Sequence, residues 1–286
     1  MSASATTGIG ASPVLDLRLY AMQVGRIARM ELRKNFLTRR GFWIYILAFA
    51  PTLIIWLHAF LDHGHSNMQE DTTVLAVVFQ FYYLRLAIFF GCMGIFTRLI
   101  RGEMVERTLH FYLLAPIRRE VIVIGKFIAG VVTAVALFGA GVLISFAGIY
   151  ATFGPAGSQY IFDGPGLGQL LSYIGVTILG CIGYGSLFLV LSMVFKNPIV
   201  PGLVLLGWEA INPVLPPLTQ KLSVIFYLRH LLPVQVPLEG VLALLTVVTE
   251  PVPAWIATIG VLCVSSAAVV GAALLSRKLQ INYSTD

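Results

Sequence analysis

Long apolar blocks recur along the chain, separated by short polar or proline-rich breaks. A helix needs about 20 apolar residues to cross a hydrocarbon core of about 30 Å. The first block, 42–61 (FWIYILAFAPTLIIWLHAFL), has that length and places Phe42, Trp43 and Trp56 near its ends, where interfacial aromatics sit. It lies too far from the start, and lacks the small-residue cleavage site, to be a removed signal. The pattern predicts further spans over 74–97, 121–150, 169–195, 199–217 and 254–276. The fifth is short and is bounded by Pro198, Pro201, Pro213, Pro216 and Pro217. Proline in a membrane helix requires neighbours or water to satisfy the carbonyls it frees, so this span is expected to face the protein interior or a cavity.

Residues 218–253 are hydrophobic yet cut by Pro233, Pro237, Pro251 and Pro253. Their longest uninterrupted stretch, Leu238 to Glu250, has 13 residues. That is too short to cross, which predicts a reentrant external segment of short helices dipping into one leaflet. Ahead of the first span, 1–13 reads as a disordered tail. In 14–40, Leu17, Tyr20, Val24 and Ile27 stand at helical spacing, with Arg26, Arg29 and Arg33 on another stripe. This predicts an amphipathic elbow helix at the lipid interface, with a soluble helix as the alternative. Small residues at Gly130/Ala134, Gly141/Ser145, Cys181/Gly185 and Ala267/Gly271 predict close helix packing. The fold class is therefore an all-α polytopic membrane protein, one transmembrane domain over 14–286 with six spans.

Composition agrees: 58% of residues are hydrophobic and 11% charged, against about 25% charged in soluble domains. A net charge of +6 would suggest nucleic acid in a soluble protein, but its placement decides otherwise. With six spans, 16 of the 19 Lys and Arg residues fall on one side: in 1–41, in 98–126, at Lys196, and at Arg277 and Lys278. The positive-inside rule then puts both termini in the cytosol, with the chain in the inner membrane and no nucleic-acid partner implied. Cys92, Cys181 and Cys263 all lie in apolar blocks and suggest packing, without a disulfide framework or a metal motif.

The cytosolic connection after the second span carries most information. Gly102 can open a helix whose polar face holds Glu103, Glu106 and His110, while Val105, Leu109, Tyr112 and Leu113 lie towards another face. Pro116 stops it, because Ala115 is disfavoured in the α region before proline. A short two-faced helix over 102–116 suits docking into a groove on a cytosolic partner. The string EMVERTLHFYLLAPIRREVIVIGKF resembles the corresponding segment of type-2 ABC-transporter permeases, on Glu103, Thr108, Leu109, Leu113, Leu114, Pro116, Gly125 and Lys126. Arg107 departs from it, standing where the family commonly has Gly. The resemblance implies half of a pore module, pairing with itself or a similar permease in the lipid bilayer. It also implies a separate nucleotide-binding ATPase subunit docked at Glu103, Glu106, Arg107, Thr108, Leu109, His110, Leu113 and Pro116, and it favours export. ATP and Mg²⁺ would belong to that partner, with no cofactor and no catalytic residue here. The residues agree on one point independently: no G-x-x-x-x-G-K-[ST] occurs, since Gly125-Lys126 has Glu120 where the first Gly would be and Phe127 after the Lys.

Two other classes fit the residues less well. An intramembrane metalloprotease of the CAAX-processing kind would use Glu103, Glu106 and the F-x-x-x-H of Phe226–His230, but the topology separates those groups by roughly the 30 Å core, whereas ligands converge within about 2 Å of a metal. A secondary transporter would need internal repeats or intramembrane ion ligands, and the only ionised groups deep in spans are Arg85 and Glu209. These two sit at matching depth and are expected to form either a structural ion pair or, with Gln80 and Asn212, a polar belt along a pathway for an amphipathic or lipid-like substrate. His63, His65, Met68 and Glu70 could hold a soft or borderline metal, but their loop reads better as a hydrated one, with no metal site.

Overall fold

The computed structural model describes residues 17–37, 41–61, 67–105, 118–234, 236 and 252–278. Every regular element among them is helical. In chain order these are α1 (Leu17–Leu37), α2 (Phe42–Leu61), α3 (Met68–Gly102), α4 (Arg119–Ala151), α5 (Pro155–Phe162), α6 (Gly166–Val194), α7 (Ile199–Ile211), α8 (Pro217–Gln220), α9 (Val224–His230) and α10 (Ala254–Lys278). Among the described residues four helices are long and apolar enough to cross a membrane: Met68–Gly102, Arg119–Ala151, Gly166–Val194 and Ala254–Arg277. Phe42–His58 and Ile199–Val214 are shorter apolar helices.

Helix α3 starts within the stretch read as an external loop, because Asn67 caps it by accepting the Gln69 N–H. His63 and His65 lie outside the described residues. Two stretches of α3, Val78–Ala87 and Arg98–Gly102, are wound as π-helix, a wide turn found mostly as bulges at functional sites.

Helices α2, α3, α4 and α6 alternate in direction. At one end Gly41 lies against Arg98, Arg101 donates to the Lys196 carbonyl and Arg277 pairs with Glu120. At the other end His58 meets Asp71, Thr72 meets Tyr150 and Tyr160 donates to Gln169. The first end is strongly basic. Between them the buried rings of Phe89, Phe96, Phe138, Tyr184 and Phe188 fill the core. Phe96 fits between α4 and α6 because Gly130 and Gly185 leave it room; a Cβ at either would come within 2.6 Å of its ring. Across the ring of helices, Thr52, Tyr83 and Ser145 share hydroxyl hydrogen bonds of 2.9–3.1 Å, and Tyr83 also donates to the Ala48 carbonyl. Pro51 interrupts the α2 hydrogen-bond ladder beside that carbonyl, so the knot supplies polar partners where the helix loses one.

Helix α1 is two-faced: Ile27, Ala28 and Glu31 are buried, while Arg18, Arg26, Arg29 and Arg33 are exposed. Its buried side follows α4. Tyr20 lies under the Arg118 guanidinium, Ile27 against Gly125, Glu31 against Lys126 and Asn35 against Thr133. Contact from 118 to 133 covers about 22 Å of α4 at 1.5 Å per residue, so α1 runs along α4 rather than crossing it. The sequence pattern alone suggested a helix in the plane of the interface. The ion pair and the small residue at 125 hold its buried face side by side with α4.

Helices α7 and α9 form a second unexpected feature. Along α6, Gly202 of α7 sits level with Phe188, Glu209 with Tyr184, Val224 of α9 with Gly183 and Leu228 with Gly180. The two helices thus stack along α6, broken by residues 212–223. Their lengths of about 20 Å and 10 Å add up to about one core thickness. Of the segment read as reentrant from 218, residues 223–232 pack against the bundle, with Val224, Ile225, Phe226 and Leu228 all buried, whereas Leu218 and Leu222 before them are exposed. Residues 237–251, which include the Leu238 to Glu250 stretch, lie outside the described residues.

Candidate transport site

Besides the Thr52–Tyr83–Ser145 knot, two clusters of polar side chains interrupt the apolar core among the described residues. The first is at the basic end. Lys126, 2% exposed, places its ammonium 2.7 Å from Glu31 Oε1 and 2.8 Å from Glu103 Oε1. Lys34 closes on the same Glu103 oxygen at 3.2 Å from the surface side. Glu103 is therefore an interior residue, joining the end of α3 to α1 and α4 through charges. Burial pushes its carboxyl above the ordinary range; Lys126 draws it back, the nearby Glu31 charge adds to the rise, and Lys34 lowers it. The rest of the proposed docking set, Glu106, Arg107, Thr108, Leu109, His110, Leu113 and Pro116, lies outside the described residues. Sequence reasoning overlooked Glu31, though a signal existed: it is the one acidic residue of α1 and continues the apolar stripe of Tyr20, Val24 and Ile27.

The second cluster is at the break between α7 and α9. The Glu209 carboxylate accepts the N–H groups of Val224 at 3.2 Å and Ile225 at 3.0 Å, the Ser223 hydroxyl at 2.7 Å and the Tyr184 hydroxyl at 3.4 Å. It caps α9 from α7: the first N–H groups of a helix have no partner within it, and its dipole favours a negative charge there. Asn212 donates to the Gln220 carbonyl and tightens the loop between them. Gln80, on the π stretch of α3, donates to the Val236 carbonyl at 3.2 Å and accepts the Val236 N–H at 3.3 Å, pinning the chain beyond α9 to α3.

Arg85 and Glu209 line one cavity of about 40 Å³ with Phe89, Tyr184, Leu206, Ala210 and Ile225. No carboxylate comes within 4.0 Å of Arg85 among the described residues; its guanidinium lies 5.5 Å from the Phe81 ring centroid. The direct ion pair that matching depth suggested is thus absent, since the oxygens of Glu209 are engaged by the start of α9. A cavity of this size has room for a few water molecules. Of the four residues read as a polar belt, Arg85 and Glu209 share the cavity, whereas Gln80 and Asn212 each hold backbone. Tyr184, Ser223 and Val236 were not singled out by sequence, because hydroxyls and backbone groups carry no periodic signal.

Glu103 and His230 do not converge. Glu103 is in the basic-end network, and His230, at the far end of α9, places Nδ1 2.7 Å from the Phe226 carbonyl. Among the described residues no three His, Cys, Asp or Glu side chains gather as a metal site would require.

A bundle of apolar helices whose charges collect at one end, and whose interior is interrupted by a broken helix pair, defines a multi-pass membrane protein built like a transporter subunit. The model of the ABC-2 family transporter proteins matches residues 26–220, and the chain belongs to that family. It is a membrane permease of the ABC transporters, a class that works with an ATPase subunit. No curated protein matches the sequence significantly.

Proposed function

We propose that this permease is the membrane-spanning half of an ATP-driven exporter for an amphipathic or lipid-like substrate. The family match over 26–220 carries the reading. In it, the chain crosses the inner membrane six times, through α2, α3, α4, α6, the stacked α7 and α9, and α10, with the basic end and both termini in the cytosol. Residues 102–116 dock a separate nucleotide-binding ATPase, which holds ATP and Mg²⁺, and a second permease half completes the pathway.

The ion network supports a mechanical role for this connection. It sits where the connection leaves α3, at Glu103, and where α4 returns, at Lys126, and it ties both to α1. A push on the docking segment would therefore reach α1, α3 and α4 together, while the π stretch of α3 and the α7/α9 break supply the parts that can rearrange. This chain contributes the pathway and the partner supplies hydrolysis.

Co-expression with candidate nucleotide-binding ATPase subunits tests the reading. Wild-type permease should retain one such subunit through purification, and Glu106→Arg should release it while membrane insertion persists. Retention undiminished by Glu106→Arg would remove 102–116 as the dock, and failure of any such subunit to bind would overturn the ATP-driven reading.

A further inference from the structure

The positive charge around the α7/α9 break exceeds the negative charge that can answer it. Arg85, on α3, and Arg229, on α9, are both partly buried, and among the described residues neither has a carboxylate within 4.0 Å. Both adjoin Ile225 of α9: it lines the Arg85 cavity, and Arg229 follows it by four residues, one turn further along the same face of α9. The nearby carboxylate, Glu209, spends its oxygens on Ser223, Tyr184 and two N–H groups of α9. Two partly desolvated guanidiniums at adjoining turns of α9, neither with a carboxylate partner among the described residues, form a receptor for an oxyanion, since the planar fork of Arg matches the oxygens of phosphate or carboxylate. An apolar track adjoins them: Val77 and Phe81 precede Arg85 at four-residue steps, and both are exposed on α3.

We propose that Arg85 and Arg229 bind the oxyanion head of an anionic amphiphile, whose apolar tail lies along Val77 and Phe81. This assigns the substrate class within the exporter reading and rests on it, but binding itself requires no ATPase.

The test uses the full-length permease in a nonionic maltoside detergent, with thermal unfolding followed against increasing dodecyl phosphate, dodecyltrimethylammonium or inorganic phosphate. Dodecyl phosphate should raise the wild-type melting temperature saturably, and the cationic analogue should not. Arg85→Gln and Arg229→Gln should each weaken the apparent affinity by about tenfold or more, the loss expected for a charge-assisted hydrogen bond. Arg229→Lys, which keeps the charge, should retain part of it. If Arg85→Gln does not fold, Arg229→Gln carries the test alone, being partly exposed on a short helix. Equal stabilisation by the cationic analogue, or an unchanged titration in Arg229→Gln, overturns the proposal. Saturable stabilisation by inorganic phosphate equal to that by dodecyl phosphate would overturn the amphiphile class, leaving a free-anion site. A permease that loses the dodecyl phosphate preference yet still recruits its ATPase would separate failure of this site from failure of the exporter reading.

Discussion

Lys126 and Glu31 form a buried ion pair, 2.7 Å apart, that fastens α1 to α4 at the basic end. Removing one partner of a buried pair strands the other in a poorly solvating environment, at a cost of about 3–5 kcal/mol. Lys126→Met, which leaves Glu31 and Glu103 facing each other, should lower the melting temperature and the yield of detergent-solubilised protein sharply. Lys126→Met combined with Glu31→Leu should recover much of the loss. A double variant no better than the single one would show that the pair does not hold α1 in place.

The environment of Glu103 predicts a pH dependence with a definite sign. Its carboxyl titrates higher in the folded protein than in the unfolded chain, chiefly because it is buried. Between those two values the folded state keeps a proton that the unfolded chain has lost, so the stability from this group is full below the unfolded value and declines as pH rises towards the folded one. Thermal unfolding of wild type and Glu103→Gln across pH 4–7, a range of about three units above the carboxylate reference, should show the wild type losing stability relative to the variant as pH rises. Parallel curves would mean that Lys126 and Lys34 fully offset the burial.

How Glu209 is used decides what charge exchange does. Arginine cannot accept the N–H groups of Val224 and Ile225, so Glu209→Arg leaves the start of α9 without its cap, whatever stands at position 85. The double exchange Arg85→Glu with Glu209→Arg should therefore fail to restore expression, whereas a simple ion pair would be rescued. Glu209→Gln, which keeps one acceptor oxygen, should be milder than Glu209→Leu, where each stranded N–H costs about 1–3 kcal/mol. Expression and melting temperature of the four variants settle the order, and recovery in the double exchange would contradict the cap.

Much of this architecture was legible because hydrophobic length is a strong signal: the apolar blocks at 121–150 and 169–195 lie almost wholly within α4 and α6. Depth along the blocks also placed Arg85 and Glu209 near one another, and both line one cavity. Depth could not show which partner each would take, because the competing acceptors and donors were backbone groups of a helix 15 residues further on. The course of α1 was equally hidden. An amphipathic stripe fits a lipid interface and a neighbouring helix alike, and only the Glu31 carboxylate on the apolar face distinguished them.

Gln80 predicts a local effect. It exchanges two hydrogen bonds with the backbone of Val236, as a neighbouring strand would. Gln80→Leu removes both while conserving bulk, so the Val236 amide should exchange hydrogen with solvent faster by about one order of magnitude, each net bond contributing about 0.5–1.5 kcal/mol. Exchange in the centre of α4 should stay unchanged. An unaltered Val236 rate would mean that other contacts hold this segment.

The course of α1 makes the sharpest geometric claim, because a helix lying in the membrane plane would cross α4 and touch it over a short stretch. Contacts instead extend from Arg118 with Tyr20 to Thr133 with Asn35, whose side chains meet at 3.4 Å. Cysteines placed at Asn35 and Thr133 should join with a short bifunctional thiol reagent, and so should cysteines at Tyr20 and Arg118, near the other end of the contact. A crossing helix could satisfy one pair but not both, since the two sites on α4 are about 22 Å apart at 1.5 Å per residue. The native thiols interfere little, because Cys92 and Cys181 are buried in the core and only Cys263 is exposed, on α10. The packing adds an independent check at Gly125, where a Cβ would come within 2.8 Å of Ile27 Cγ2 and 3.3 Å of the Val24 carbonyl. Gly125→Val should force the helices apart and abolish cross-linking at Asn35 and Thr133, and Ile27→Ala in the same chain should restore part of it by vacating the side-chain contact. Cross-linking of only one cysteine pair in the otherwise unaltered protein would return α1 to the membrane plane.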